Sequence, residues 1–130
     1  MTQGNRIKLL ALDQNLKVLY EISRITTPWM EAIVTTDPRD AVARLQKDTD
    51  IKIFLTEQVL SNSSGIALLD SVRSMRPDVR RVLMSDAGEL RPIIEGLHSG
   101  VIGRLLYKPF QPSELLAALG VVAKPARATA

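Results

Sequence analysis

The chain has 130 residues, 24% of them charged, a net charge of +3 and no cysteine. This length suits a single domain, while the absence of cysteine excludes disulfides, thiolate catalysis and cysteine-ligated zinc and fits a cytoplasmic protein. No window approaches the roughly 18 apolar residues that span a membrane, and scattered basic residues without interleaved aromatics argue against direct nucleic-acid binding.

The first half of the chain predicts strands that alternate with helices. Residues 7–12 form a short apolar run typical of a buried parallel strand. An apolar stripe from Leu16 to Ile25 predicts the first helix, which Pro28 stops. Residues 30–35 predict a second strand. The second helix begins at Asp37, a favourable cap, with Pro38 at the first helical position.

The same alternation continues through the second half. The third strand is predicted at residues 51–56, a serine-rich loop at 59–65 and the third helix at 66–75. The fourth strand is predicted at 82–84 and the fourth helix at 90–97, which Gly100 closes. The fifth strand spans 104–107, and Gln111 and Pro112 begin the last helix. We expect one domain over residues 1–123, with 124–130 as a tail or the start of a linker.

This pattern predicts an α/β fold with a doubly wound parallel sheet. Helices would cover both faces, joined to the strands by right-handed crossovers. Ligand sites in such folds lie at the carboxyl ends of the strands, where the strand order reverses. We expect the flavodoxin-like order 2-1-3-4-5, because the acidic residues that end strands one and three, Asp13 and Glu57, would then lie at this switch point.

Polar side chains stand at the carboxyl ends of four of the five strands. A lysine at the tip of a buried strand is costly unless acidic groups accompany it, and two carboxylates are predicted at the same edge. The converging residues are Asp13 and Gln14 from strand one, Glu57 from strand three, Ser85 and Asp86 from strand four, and Lys108 from strand five.

This set resembles the receiver domain of two-component response regulators, over about residues 6–122. Asp13 matches the first of two acids that hold magnesium, and Ser85 matches the hydroxyl of the fourth strand. Lys108, Pro109 and Phe110 match a motif of lysine, cis-proline and an aromatic residue. The resemblance implies a cytoplasmic signalling module in a phosphorelay, which is not an enzyme.

The chain departs from the family pattern at four positions. The family places a glycine eight residues after the phosphoacceptor aspartate, and counting back from Gly65 leads to Glu57. Gln14 replaces the second metal-binding acid, and Ser61 replaces a proline. Leu105 stands where many receivers carry a tyrosine or phenylalanine that rotates on activation.

These departures predict a degenerate pseudo-receiver. The extra methylene of Glu57 displaces its oxygens by about 1 Å, which costs on the order of 100-fold in rate, and the amide of Gln14 is a weaker magnesium ligand than a carboxylate. We therefore expect no cofactor, or weak magnesium binding at Asp13 and Glu57. A Glu57–Lys108 ion pair would hold the domain in an active-like state.

Other interpretations stay open at this stage. The domain could remain a magnesium-dependent, phosphorylatable receiver with altered chemistry, or bind a small molecule in the vacated pocket. Asp13 could simply cap the first helix. Glu57 could be a solvated loop residue, and Ser85 a turn residue.

The resemblance also implies a protein-interaction face. It would be formed by the fourth helix, the fifth strand and the fifth helix, and its mixed charges suit a specific contact that is sensitive to salt. The expected partners are a second copy of the chain, a histidine kinase or a fused output domain. The charged and aromatic residues of this face are Glu89, Arg91, Glu95, Arg104, Tyr107 and Glu114.

Overall fold

The computed structural model describes residues 6–86, 88 and 90–121. Within them no helix is long and apolar enough to cross a membrane. Seven strands and five helices follow one another along this part of the chain: β1 (Lys8–Leu12), α1 (Leu16–Thr26), β2 (Glu31–Thr35), α2 (Pro38–Lys47), β3 (Ile51–Glu57), β4 (Val59–Leu60), β5 (Ser63–Ser64), α3 (Gly65–Met75), β6 (Arg80–Ser85), α4 (Leu90–Ser99), β7 (Arg104–Tyr107) and α5 (Pro112–Ala118).

Five of the strands form one parallel sheet in the order β2-β1-β3-β6-β7. Counting only the strands of this sheet, the order is 2-1-3-4-5, and the predicted doubly wound α/β fold is confirmed. The order reverses at β1, so the carboxyl ends of β1 and β3 flank the crevice in which such folds carry their sites.

The sheet is buried on both faces, and β1 shows how its sequence achieves this. Successive side chains of a strand point to opposite faces. Leu9 and Ala11 accordingly join the core beneath α1 and α5, whereas Leu10 and Leu12 join the core beneath α2, α3 and α4. All four side chains are fully buried. A strand that faces two cores reads as a continuous apolar run rather than as an alternation.

Helix α2 begins as its sequence predicts. The side chain of Asp37 accepts a hydrogen bond from the backbone N–H of Arg39 at 2.9 Å, and Pro38 is the first helical residue. Helix α1 ends at Thr26, two residues before Pro28, which agrees with the predicted stop. The buried hydroxyl of Thr26 donates to the carbonyl of Ile22 at 2.7 Å, which satisfies its polar group within the helix.

The segment predicted as a loop at 59–65 is more ordered than expected. Strands β4 and β5 pair antiparallel, Val59 with Ser64 and Leu60 with Ser63, and Gly65 already belongs to α3. We call residues 59–64 the β4–β5 ribbon. Two-residue strands are too short to show an alternating pattern, so only the turn residues of this ribbon were visible in the sequence.

Two predicted apolar stripes are less buried than their patterns indicate. In α1, Leu16 is 70% exposed, although Leu19 and Ile22 are buried. In α4 only Ile93 is buried among the large apolar side chains, and the others face outward: Leu90, Ile94 and Leu97. Periodicity places residues on one helix face but does not show how much of that face another element covers.

Candidate functional site at the carboxyl edge of the sheet

Backbone hydrogen bonds bring the predicted site residues to one edge. The parallel ladder pairs Glu57 with Met84 and Ser85 with Tyr107. Beyond the ladder, the N–H of Lys108 donates to the carbonyl of Ser85 at 2.8 Å. The hydrogen bonds of the sheet therefore fix the backbone positions of Glu57, Ser85 and Lys108.

Lys108 pairs with both predicted carboxylates. Its Nζ lies 2.7 Å from Asp13 Oδ2 and 3.4 Å from Glu57 Oε1. The side chain of Lys108 is 18% exposed, that of Asp13 1% and that of Glu57 13%. The expected Glu57–Lys108 ion pair is present, but Asp13 is the closer and more deeply buried partner.

The charge of Lys108 is maintained by these partners against its burial. Burial lowers the pKa of Lys108, because it disfavours the ammonium. The hydrogen bond that Lys108 donates to Asp13 and the attraction of Asp13 and Glu57 outweigh that effect, so the pKa of Lys108 lies above its ordinary value of 10.5. Two carboxylates around one ammonium leave an excess of negative charge in the site.

Asp13 uses both of its carboxylate oxygens. Oδ2 accepts from Lys108, and Oδ1 accepts from the backbone N–H of Asn15 at 2.8 Å. The cap of α1 is Asn15, whose side chain accepts from the N–H of Lys17. The interpretation of Asp13 as the helix cap is therefore wrong, since that position belongs to Asn15.

Glu57 is the last residue of β3 and is partly buried, which rules out the solvated-loop interpretation. Its Oε2 accepts from the backbone N–H of Gln14 at 2.7 Å, and its Oε1 faces Lys108. The side-chain amide of Gln14 turns to the β4–β5 ribbon and donates to Ser61 Oγ at 2.8 Å. Both oxygens of Glu57 are thus engaged.

Beside these pairs lies a cavity of about 260 Å³, lined by Glu57, Val59, Ser85, Asp86, Lys108 and neighbouring residues. Ser85 is the last residue of β6 and is 5% exposed, so it is a buried strand residue rather than a turn residue. Asp86 is exposed at the rim and adds a further carboxylate.

The donors present do not suit a tight magnesium site. Magnesium favours oxygen ligands, carboxylates above all, in near-octahedral geometry. The described residues contain no group of three or more histidine, cysteine, aspartate or glutamate side chains that could hold a metal ion. Asp13 and Glu57 accept from protein donors, and the side chain of Gln14 points to Ser61 rather than to them.

The sequence patterns did not identify Gln58 as a residue of this site. Its side chain is 8% exposed, its N–H donates to the carbonyl of Met84 at 3.0 Å, and its Oε1 accepts from the N–H of Ile66 at 3.0 Å. Gln58 thereby anchors the start of α3 to the end of the sheet. A polar residue beside a strand end, eight residues before an apolar helix, was the only signal for it.

Leu105 and Pro109 lie beside the site rather than in its charged centre. Leu105 pairs in register with Leu83 and is partly buried against the core beneath α4. The peptide bond between Lys108 and Pro109 is cis.

A model of the family described as "Response regulator receiver domain" matches residues 9–120. The chain belongs to the response regulator receiver family. In this receiver the third strand of the sheet, β3, ends at Glu57.

Known proteins similar to this receiver agree with that assignment. The hydrogenase transcriptional regulatory protein HoxA of Bradyrhizobium diazoefficiens is 27% identical over 108 residues, which cover 83% of this chain and 22% of that protein. The receiver thus spans about a fifth of the length of this relative.

Solved structures share the fold. The signal receiver domain of an HD domain-containing protein from Pseudomonas fluorescens Pf-5 has a TM-score of 0.80 at 24% identity, over 88% of this chain and 92% of that one. A CheY-like response regulator receiver domain protein from Methanospirillum hungatei JF-1 has a TM-score of 0.80 at 18% identity, over 88% and 91% of the two chains.

Proposed function

We propose that this receiver is a signalling and protein-interaction module that does not undergo ordinary aspartyl phosphorylation. The proposal rests on Glu57, which stands at the acceptor position and whose two carboxylate oxygens accept hydrogen bonds from Gln14 and Lys108. A nucleophilic carboxylate must present a free oxygen in line with phosphorus, and an error of about 1 Å costs on the order of 100-fold in rate.

Intact-mass spectrometry after treatment with acetyl phosphate and magnesium tests this proposal. We expect no phosphoryl adduct on the wild-type chain. The matched variant is Glu57→Asp with Gln14→Asp, which restores the family's acids and should gain an adduct. A stoichiometric adduct mapped to Glu57 of the wild type would contradict the proposal.

We further propose that Glu57 keeps the domain in an active-like state. A phosphoryl group on an aspartate would extend the acidic group toward Lys108, and the longer glutamate does the same through its ion pair with Lys108. Structures of the native chain and of Glu57→Asp with beryllofluoride should show the same conformation at Ser85 and Leu105. A beryllofluoride-induced shift of either side chain, relative to the native chain, would contradict this state.

A second candidate function is magnesium-dependent self-phosphorylation with altered kinetics. The retained cluster of Asp13, Ser85 and Lys108 supports it, because these side chains converge as the family's chemistry requires. Calorimetry distinguishes the two functions. Magnesium binding in the millimolar range or tighter favours phosphorylation, and no detectable binding favours the pseudo-receiver.

The proposed interaction surface is the face of α4, β7 and α5, and its proposed occupant is a second copy of the chain. Leu90, Ile94, Leu97 and Tyr107 are each more than 40% exposed there. The same face carries Arg91, Glu95, Arg104 and Glu114, so opposite charges can pair across a two-fold axis. Glu89, predicted for this face, lies outside the described residues.

Sedimentation velocity tests the dimer. Ile94→Asp should shift the protein toward the monomer, whereas Leu16→Asp, a matched change of an exposed apolar residue on α1, should not. A wild-type chain that stays monomeric at high micromolar concentration would contradict self-association and favour a kinase or a fused output domain as the partner. The cytoplasmic location remains a prediction.

A further inference from the structure

Among the positions at which the chain departs from the family pattern, Gln14 contacts both Glu57 and Ser61. The backbone N–H of Gln14 donates to Glu57 Oε2 at 2.7 Å, and the side-chain amide of Gln14 donates to Ser61 Oγ at 2.8 Å. Gln14 is 43 residues from Glu57 and 47 residues from Ser61 in sequence, so these contacts exist only in the folded chain.

In its observed direction, with the amide of Gln14 as donor and the hydroxyl of Ser61 as acceptor, the contact needs both replacements. An ionised acid at residue 14 would have no hydrogen to donate, and a proline at residue 61 would have no hydroxyl to accept one. Glutamine and serine supply this donor and acceptor. The two departures are therefore chemically matched.

Donors of the protein, the backbone N–H of Gln14 among them, surround the two carboxylates of the site. Two facing carboxylates, Asp13 and Glu57, repel each other unless positive charge or hydrogen-bond donors lie between them. Here the ammonium of Lys108 contacts both, and the N–H groups of Gln14 and Asn15 take the remaining oxygens. The carboxylates are satisfied by donors of the protein itself.

We infer that Gln14 and Ser61 are positioning residues that, with Glu57, tie the β4–β5 ribbon to the turn after β1 without a divalent cation. The ribbon leads directly into α3, and its Val59 lines the cavity beside Glu57. The tie therefore sets the wall of that cavity. It goes beyond the proposed function, because the contact between Gln14 and Ser61 does not involve the carboxylate of Glu57.

Amide hydrogen exchange of residues 59–64 tests the tie in a double-mutant cycle. Gln14→Ala removes the side-chain donor but keeps the backbone N–H that binds Glu57, and Ser61→Ala removes the acceptor. Both side chains are exposed, so neither change disturbs the core. Each should speed exchange of the ribbon by roughly two- to tenfold, as expected for one net hydrogen bond, and the double variant should match the single ones.

The control is Ser63→Ala, which removes a hydroxyl from the same ribbon, where it makes only a 3.5 Å contact with the next carbonyl. It should leave exchange within twofold of the wild type. Unchanged exchange in both single variants, or additive effects in the double variant, would overturn the inference.

Magnesium tests whether a cation contributes to the tie. Ribbon exchange of the wild type should be the same in EDTA and in millimolar magnesium. Protection that appears only with magnesium would show that a cation, not Gln14, makes the tie. A mass adduct on Glu57 would contradict the proposed function alone and leave the exchange result standing.

Discussion

Asp13 and Lys108 are the pair on which the carboxyl edge of the sheet depends. Asp13 is almost fully buried and Lys108 mostly so, and their charged atoms lie 2.7 Å apart. Desolvation of such a pair offsets much of its attraction, so its net contribution to stability is small. Removal of one partner is different, because it leaves a buried charge without compensation.

We expect Lys108→Met to destabilise the domain by about 3–5 kcal/mol, because Asp13 would remain buried without its cation. Urea denaturation at pH 7 measures the change. The control is Lys52→Met, whose pair with Asp78 is about half exposed and should contribute within about 1 kcal/mol. Equal losses in the two variants would show that Asp13 is compensated by other groups.

At the scale of elements, the site depends on how closely α3 approaches the end of β3. The first residue of α3 is Gly65, whose N–H donates to the carbonyl of Gln58 at 2.8 Å. A Cβ at this position would lie 2.2 Å from the carbonyl oxygen of Glu57 and 2.9 Å from Leu83 Cδ1. Only glycine lets the helix begin this close to the strand.

Gly65→Ala should therefore destabilise the domain by about 1–3 kcal/mol or more, since the backbone oxygen of Glu57 cannot move away as a flexible side chain could. Thermal unfolding followed by circular dichroism measures it. Gly88→Ala is the matched control, because an added Cβ there meets nothing within 4 Å. A Gly65→Ala variant as stable as the wild type would mean that α3 can shift away from β3.

For the whole molecule, ion pairs make stability depend on pH at both extremes. A hydrogen bond from Arg44 lowers the pKa of Asp40 below the ordinary 3.8, and a hydrogen bond from Lys8 does so for Asp48. Hydrogen bonds from Arg76 and, to a smaller extent, from Lys52 lower the pKa of Asp78. The stability that these carboxylates contribute is present above pH 3.8 and is lost as pH falls through the folded-state pKa values.

At alkaline pH, stability depends on pH with the opposite sign. The pKa of Lys108 is raised in the folded state, so its contribution is complete below pH 10.5 and is lost as pH rises through the folded-state value. We expect the urea midpoint of the wild type to fall above pH 10.5, and the fall to be smaller in Lys108→Met. Parallel alkaline profiles of the two proteins would assign the loss to other groups.

Much of this molecule could be predicted because its local patterns are strong. Apolar runs mark the five strands of the sheet, and Asp37 with Pro38 marks the start of α2. The ends of parallel strands must meet at one edge, which brings Asp13, Glu57 and Lys108 together from strand assignment alone. The β4–β5 ribbon and Gln58 could not be predicted in this way, because their structure depends on single contacts rather than on a repeated pattern.

The strand order follows from the acidic residues that end the first and third strands, and the side chains that converge on Lys108 follow from where the parallel strands end. How those side chains pair is visible only in the folded chain: Asp13 lies closer to Lys108 than Glu57 does, and Gln14 reaches Ser61 across the edge of the sheet. Such choices depend on differences of less than about 1 Å between competing partners, which packing sets and local sequence does not encode.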